Sequence, residues 1–239
     1  MIFLWCALLF AGGDSERYKQ NPPKGFVDLK DWIPSIQIES RYHGSDNFTE
    51  APLPGYGVNR AWLRKEAATA LRKVQNSLRK EGLGLLMYDT YRPRRATKAM
   101  MAWAKRTQQW NLIEDGYIAQ RSRHNHGIAV DLTLVNLRTG QPLDMGTKWD
   151  EFSTDSHTAN ATGQALKNRL KLKKAMLAEG FTPYRKEWWH FNYRLSKTRA
   201  RDVPYSCFEK PEGTWKAPKN WDQPGYVPPS AWQPKDCHP

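Results

Sequence analysis

One stretch constrains the fold more than any other: "LRKEAATALRKVQNSLRKEGLGLLMYDTYRP", residues 63–93, in which a helical pattern turns into a strand within a few residues. Leu63, Ala67, Leu71, Val74 and Leu78 recur at helical spacing and form one apolar stripe, with Asn59 placed to cap the start and Gly82 to end it. "LGLLMYD" then reads as a largely buried strand, stopped by Pro93. A helix that must bury one face next to a strand that is buried itself calls for a layered fold with both element types.

The rest of the chain supplies matching parts. "IQIESRY" at 36–42 reads as a strand, "RRATKAMMAWAKRTQQW" at 94–110 as a helix, "GIAVDLTLVNL" at 127–137 as a strand and "GQPLDMG" as a turn. A third helix is expected over 162–179, before Gly180, and a short aromatic strand over "EWWHFNY" at 187–193. These elements do not follow a strict βαβ rhythm. The expectation is therefore an α+β single domain, with a mostly antiparallel sheet flanked by helices, over residues 19–205. From 206 to 239 the sequence is dense in Pro, Trp and Lys without a period, and reads as an extended tail lying on the domain or on a partner. No internal repeat is visible.

The chain starts with "MIFLWCALLFA", an apolar run too short to span a membrane and of the length of a signal-peptide core, although it lacks a basic leading region. Residues 1–18 are therefore expected to be a signal peptide, and the protein periplasmic or secreted. If the apolar start is instead a buried strand, the expected location is the cytoplasm. Cys6 lies inside the apolar run, not after it, so no lipid-attachment pattern is present. In an oxidising compartment Cys207 and Cys237 can pair and pin the tail; the alternative is two free thiols. A formal charge of +13 suits an anionic partner such as a cell-wall surface. Nucleic acid is disfavoured, because no long Lys/Arg run or nucleic-acid motif accompanies the charge.

Chemistry concentrates in three short segments. In "SRHNHGIAVD", residues 122–131, a strand beginning near Gly127 puts Ala129 and Asp131 on one face and Ile128, Val130 and Leu132 on the other. The small residues leave room beside Asp131, and the freedom of Gly127 lets the chain bend so that His124 reaches the same place. "EWWH" adds His190 and Glu187, giving two imidazoles, one carboxylate ligand and a second carboxylate for general-base work. Three protein ligands with an open fourth position suit a hydrolytic zinc, which lowers the pKa of water. Arg92 in "YDTYRPRR" stands just before a proline at a strand end, where a fixed guanidinium can stabilise an oxyanion. Each segment also has a plain structural reading: a solvated His/Asp pair, an aromatic core strand, a surface arginine.

Together the three segments resemble the D-alanyl-D-alanine dipeptidases of the vancomycin-resistance type. Ser122, His124, Gly127, Ala129 and Asp131 match the family's Ser-x-His-x-x-Gly-x-Ala-x-Asp motif, Glu187 and His190 its Glu-x-x-His, and Tyr91, Arg92 and Pro93 its Tyr-Arg-Pro. "DNFTE" at 46–50 and "MGTKWDEF" at 145–152 also look like family segments. The resemblance implies one zinc per chain held by His124, Asp131 and His190, with Glu187 as catalytic base and Arg92 stabilising the transition state. It also implies that Ser122 and Asp150 hold the ammonium group of a small D,D-dipeptide. His126 falls where the motif is open and is not expected to be a ligand; His43, His157 and His238 match no motif. The alternatives are a D,D-carboxypeptidase or an endolysin-like zinc peptidase acting on longer wall peptides, and a binding module that has lost hydrolysis.

Overall fold

The computed structural model describes residues 19–230. Its elements run β1 (Phe26–Asp28), α1 (Leu29–Trp32), β2 (Gln37–Ile38), β3 (Trp62–Arg64), α2 (Lys65–Arg79), β4 (Leu83–Asp89), α3 (Arg94–Arg106), α4 (Asn111–Glu114), β5 (Ala129–Asn136), α5 (Gly163–Ala178), β6 (Phe181–Tyr184) and β7 (Glu187–Tyr193). The main sheet has the order β2-β4-β5-β7-β6, and a separate ribbon pairs β1 with β3. The β2–β4 pair is parallel; the β4–β5, β5–β7 and β7–β6 pairs are antiparallel. The α+β reading with a mostly antiparallel sheet describes this architecture.

The stripe on α2 does what its spacing predicts: Ala67, Leu71, Val74 and Leu78 are buried, and the helix lies against β4 and α5. Buried Gln75 is a polar member of that face. Its Oε1 accepts the Leu85 N–H at 2.8 Å and its Nε2 donates to the Ser35 carbonyl at 2.9 Å, so it ties α2 to β4 through groups that would otherwise go unpaired. β5 is buried on both faces, as befits a central strand, and Val130, Leu132 and Leu134 enter the core with Leu85, Trp189 and Phe191.

Several boundaries differ from the sequence reading, each for a local reason. Asn59 caps no helix: its side chain accepts the Ser40 N–H at 2.8 Å, residues 62–64 pair with β1, and α2 starts only at Lys65. Leu63 thus belongs to a strand, because pairing with Val27 offers its backbone a partner that a first helical turn does not. The strand expected over 36–42 shortens to Gln37–Ile38 and gives way to a 3₁₀ turn at Arg41–His43. The second helix ends at Arg106 instead of Trp110, with Gln108 in the left-handed region. β6, not expected from the sequence, pairs with β7 as a hairpin; its Pro183 hid the period-two pattern.

The chain from 206 to 230 lies against the domain. Lys105 pairs with Asp222 at 2.6 Å, Arg106 donates to the Trp221 carbonyl at 3.2 Å, and Trp215 packs beneath Arg95. Among the described residues no helix is long and apolar enough to cross a membrane. The apolar start, Cys237 and His238 lie outside the described residues.

Candidate metal centre and substrate cleft

The site is assembled by sheet register. Asp131 on β5 stands opposite His190 on β7 and opposite Asp89 at the end of β4, so three adjacent strands present side chains to one spot. Neighbours directly across an antiparallel pair point to the same face, which is why residues so far apart in sequence meet. His124 arrives from a 3₁₀ turn, Arg123–His126, just before β5. Ser122 caps that turn, its hydroxyl accepting the His124 N–H at 3.2 Å. Gly127 ends the turn at φ +66°, and a Cβ there would lie 2.1 Å from the Phe26 ring. Only glycine fits this corner.

One donor atom each from His124, Asp131 and His190 converge. His190 Nδ1 lies 2.9 Å from Asp131 Oδ1, His124 Nε2 lies 3.3 Å from that oxygen, and the two imidazole nitrogens are 3.2 Å apart. A tetrahedral ion with bonds of about 2.0–2.1 Å has edges of about 3.3 Å; the two separations from His124 match that edge, and the His190–Asp131 separation is shorter, at a hydrogen-bond distance. The tautomer of His124 agrees: its Nδ1 donates to the Thr90 carbonyl at 2.6 Å, which leaves the Nε2 lone pair facing the cluster. The donor set fits a divalent metal of the zinc class.

Charge makes the same case. Asp89, Asp131, Asp150 and Glu187 gather around the buried guanidinium of Arg92. Burial and the neighbouring carboxylates Asp131 and Asp150 push Glu187 well above the usual carboxylate range. Burial does the same to Asp150, aided by Asp131 and Asp89 and opposed by a hydrogen bond from Tyr42. Burial also penalises ionised Asp131, but the charges and hydrogen bonds of His124 and His190 outweigh it and hold that carboxyl far below its ordinary value. Four acids gathered this closely suit a bound cation and a cationic ligand.

Glu187 and His190 share β7 at a separation that a flat strand would place on opposite faces. The register shift between Pro183 and Tyr184 falls beside Glu187, and its Oε2 ends 3.9 Å from His190 Nδ1. Arg92 is buried, donates to Asp89 Oδ2 through Nε at 2.9 Å and Nη2 at 2.8 Å, and lies 3.9 Å from Asp131 Oδ2. Asp150 accepts the Tyr42 hydroxyl at 2.7 Å and sits at φ +59°, a left-handed backbone that aims its carboxylate at the cleft wall. The cleft has a volume of about 230 Å³ and is lined by Ser122, His124, Asp131, Asp150, Glu187 and His190 together with Arg92. That is below the roughly 300–1,000 Å³ of pockets for drug-sized ligands, and points to a smaller one.

The candidate catalytic, substrate-binding and metal-donor residues Arg92, Ser122, His124, Asp131, Asp150, Glu187 and His190 thus border one cleft, and His126 stands apart. Its Nδ1 meets the Thr198 hydroxyl at 3.0 Å and its carbonyl accepts from Arg64. His157 meets the Tyr117 hydroxyl at 3.2 Å, and exposed His43 meets the Tyr56 carbonyl at 2.7 Å. The sequence reading missed Asp89, which anchors Arg92 and accepts the Tyr56 hydroxyl at 2.6 Å. It also missed Tyr42, which holds Asp150. An acid inside an otherwise apolar buried strand was the available sign for Asp89; Tyr42 carried none.

Comparison with known proteins agrees with this geometry. The D-ala-D-ala dipeptidase family model matches residues 23–211. The chain is 37% identical over 182 residues to a D-alanyl-D-alanine dipeptidase of Enterococcus faecalis, covering 70% of this chain and 90% of that one. It is 35% identical over 205 residues to one of Enterococcus faecium, covering 78% and 98%. A third, from Streptomyces coelicolor, is 33% identical over 184 residues, covering 71% and 91%. With its ordered motifs gathered into a cleft of three metal-donor side chains, the chain belongs to the D-alanyl-D-alanine dipeptidase family of metallopeptidases.

Proposed function

We propose that this protein hydrolyses the dipeptide D-Ala-D-Ala, using one zinc per chain held by His124, Asp131 and His190. The observation that carries the reading is the convergence of those three donors in a small cleft whose wall carries the Asp150 carboxylate. When bound, the metal supplies Lewis acidity and makes water acidic enough to attack at neutral pH.

The protein's own residues do the rest. Glu187, buried at the cleft beside His190, accepts the proton of the attacking water and delivers it to the leaving amine. The environment that raises its proton affinity suits a group that must hold a proton between the two steps. Arg92, fixed by Asp89 in a fork of two donors, meets the negative charge that develops on the carbonyl oxygen. Asp150 receives the substrate's ammonium group, with Tyr42 fixing the carboxylate and Ser122 bordering the same cleft. The apolar run at residues 1–11 supports export, and the charge of +13 supports attraction to an anionic wall surface, where the enzyme would act on wall-derived dipeptide.

The test is release of D-alanine by zinc-loaded protein from D-Ala-D-Ala, from its N-acetylated form and from longer muropeptides. Acetylation removes the charge that Asp150 holds and leaves a buried carboxylate unpaired, so the capped dipeptide is cut at least about a hundredfold more slowly. Equal or faster cleavage of capped dipeptide or muropeptides would replace this reading with that of a carboxypeptidase or endopeptidase.

A further inference from the structure

Glu209 is a carboxylate with no role in the chemistry above, yet it is buried and built into the frame of the site. Its Oε2 accepts the Gly55 N–H at 2.6 Å and its Oε1 accepts the Gly57 N–H at 3.1 Å, with Arg95 Nη1 3.7 Å from Oε2. The loop it holds has no slack. Gly55 is at φ +99° against Pro93, and a Cβ on Gly57 would lie 2.6 Å from the Ser206 side chain. Tyr205 fastens the same loop by donating its N–H to the Gly55 carbonyl at 2.9 Å.

Between the two clamped glycines stands Tyr56. Its buried hydroxyl donates to Asp89 Oδ1 at 2.6 Å, and the other oxygen of Asp89 accepts both contacts from Arg92. A continuous path therefore runs from Glu209 through the backbone at 55–57 to Tyr56, Asp89 and Arg92. Burial pushes the Glu209 carboxyl up to about 7 against the pull of Arg95 and the two amides, a cost that an ordinary surface turn does not incur.

We propose that Glu209 is a positioning residue for the dipeptidase reaction: by clamping Gly55 and Gly57 it sets Tyr56 against Asp89 and so fixes the guanidinium of Arg92 at the cleft. The inference rests on the functional reading above for the role of Arg92. A carboxylate accepts two N–H groups in a fork; the amide of a glutamine has one oxygen and presents N–H to N–H at the other contact. Glu209→Gln therefore loosens the loop without removing bulk.

The experiment uses the full-length, zinc-loaded protein in a double-mutant cycle of Glu209→Gln with Tyr56→Phe, and Glu209→Asp as a milder variant. Misplacement relayed from a distance lowers kcat by about 10- to 100-fold, with KM within about twofold and zinc content unchanged. The double variant is no slower than the slower single one, since both act on the same link. If Glu209→Gln does not fold, Glu209→Asp is read in the same cycle and shows a smaller loss of kcat with the same non-additivity. A second readout needs no substrate. The Arg92 Nε–H, assigned in nitrogen-15 spectra by its loss in Arg92→Lys, exchanges with solvent faster in Glu209→Gln than in the wild type. Wild-type kcat and wild-type exchange in Glu209→Gln overturn the proposal, as do losses that multiply with those of Tyr56→Phe. A wild type that leaves D-Ala-D-Ala intact strikes the functional reading instead, and the exchange rate still decides the role of Glu209.

Discussion

Glu187 and His126 show how differently two polar residues near one cleft are used. Glu187→Gln keeps size and hydrogen-bonding capacity but accepts no proton, so turnover falls by about 10²–10⁴-fold or more while metal is retained. Stopped-assay kinetics with parallel elemental analysis measure both, and full activity in this variant would reject the general-base role. The histidines separate by metal content. His124→Ala loses the ion, because one donor of three is gone, whereas His126→Ala keeps it, since its ring is engaged by Thr198 outside the cluster. The reverse pattern would overturn the ligand set. Sequence spacing gave no physical reason to prefer one of these two histidines over the other; the family motif made the distinction before any geometry was known. What separates them physically is the 3₁₀ turn Arg123–His126: at three residues per turn, side chains two apart point about 120° away from each other.

Among the elements, the corner between that turn and β5 carries the heaviest demand. Gly127 combines a left-handed backbone with close approach to the Phe26 ring on β1, so it links the small ribbon to the turn that carries His124. Gly127→Ala adds backbone strain and overpacking together, for a loss of roughly 2–5 kcal/mol in folding stability. Denaturant titration reads that loss, and zinc affinity should weaken with it because His124 moves with the turn. An alanine variant as stable as the wild type would mean that Phe26 yields freely. The strands β5 and β7 were visible in the sequence because their apolar and aromatic runs are bounded by turn residues. β6 was not, since a four-residue strand containing proline lacks the alternation on which such readings depend. The displaced start of α2 has the same origin: Asn59 is a good cap by type, but its side chain was claimed by a distant backbone amide.

At the scale of the whole molecule, residues 206–230 are wrapped onto the catalytic domain and not strung away from it, and exposed Cys207 lies within that segment. If the protein is exported, Cys207 and Cys237 pair; closing a loop of this size is worth roughly 3–4 kcal/mol. Mass spectrometry of protein from its native compartment, alkylated before and after reduction, tests this, and two freely alkylated thiols would end the idea. The sequence by itself determined the layered α+β class and the central strands, because those depend on local periodicity and on residue type, while the choice of donor groups came from the family motifs. Tertiary structure alone decided that Asp131 faces His190 and Asp89, that Glu187 turns onto the same side as His190, and that Tyr42, Asp89 and Glu209 frame the cleft. Those relations depend on strand register, a shifted pairing and contacts spanning more than a hundred residues, such as Gly55 to Glu209. No local pattern encodes them, because they exist only once the whole sheet has closed.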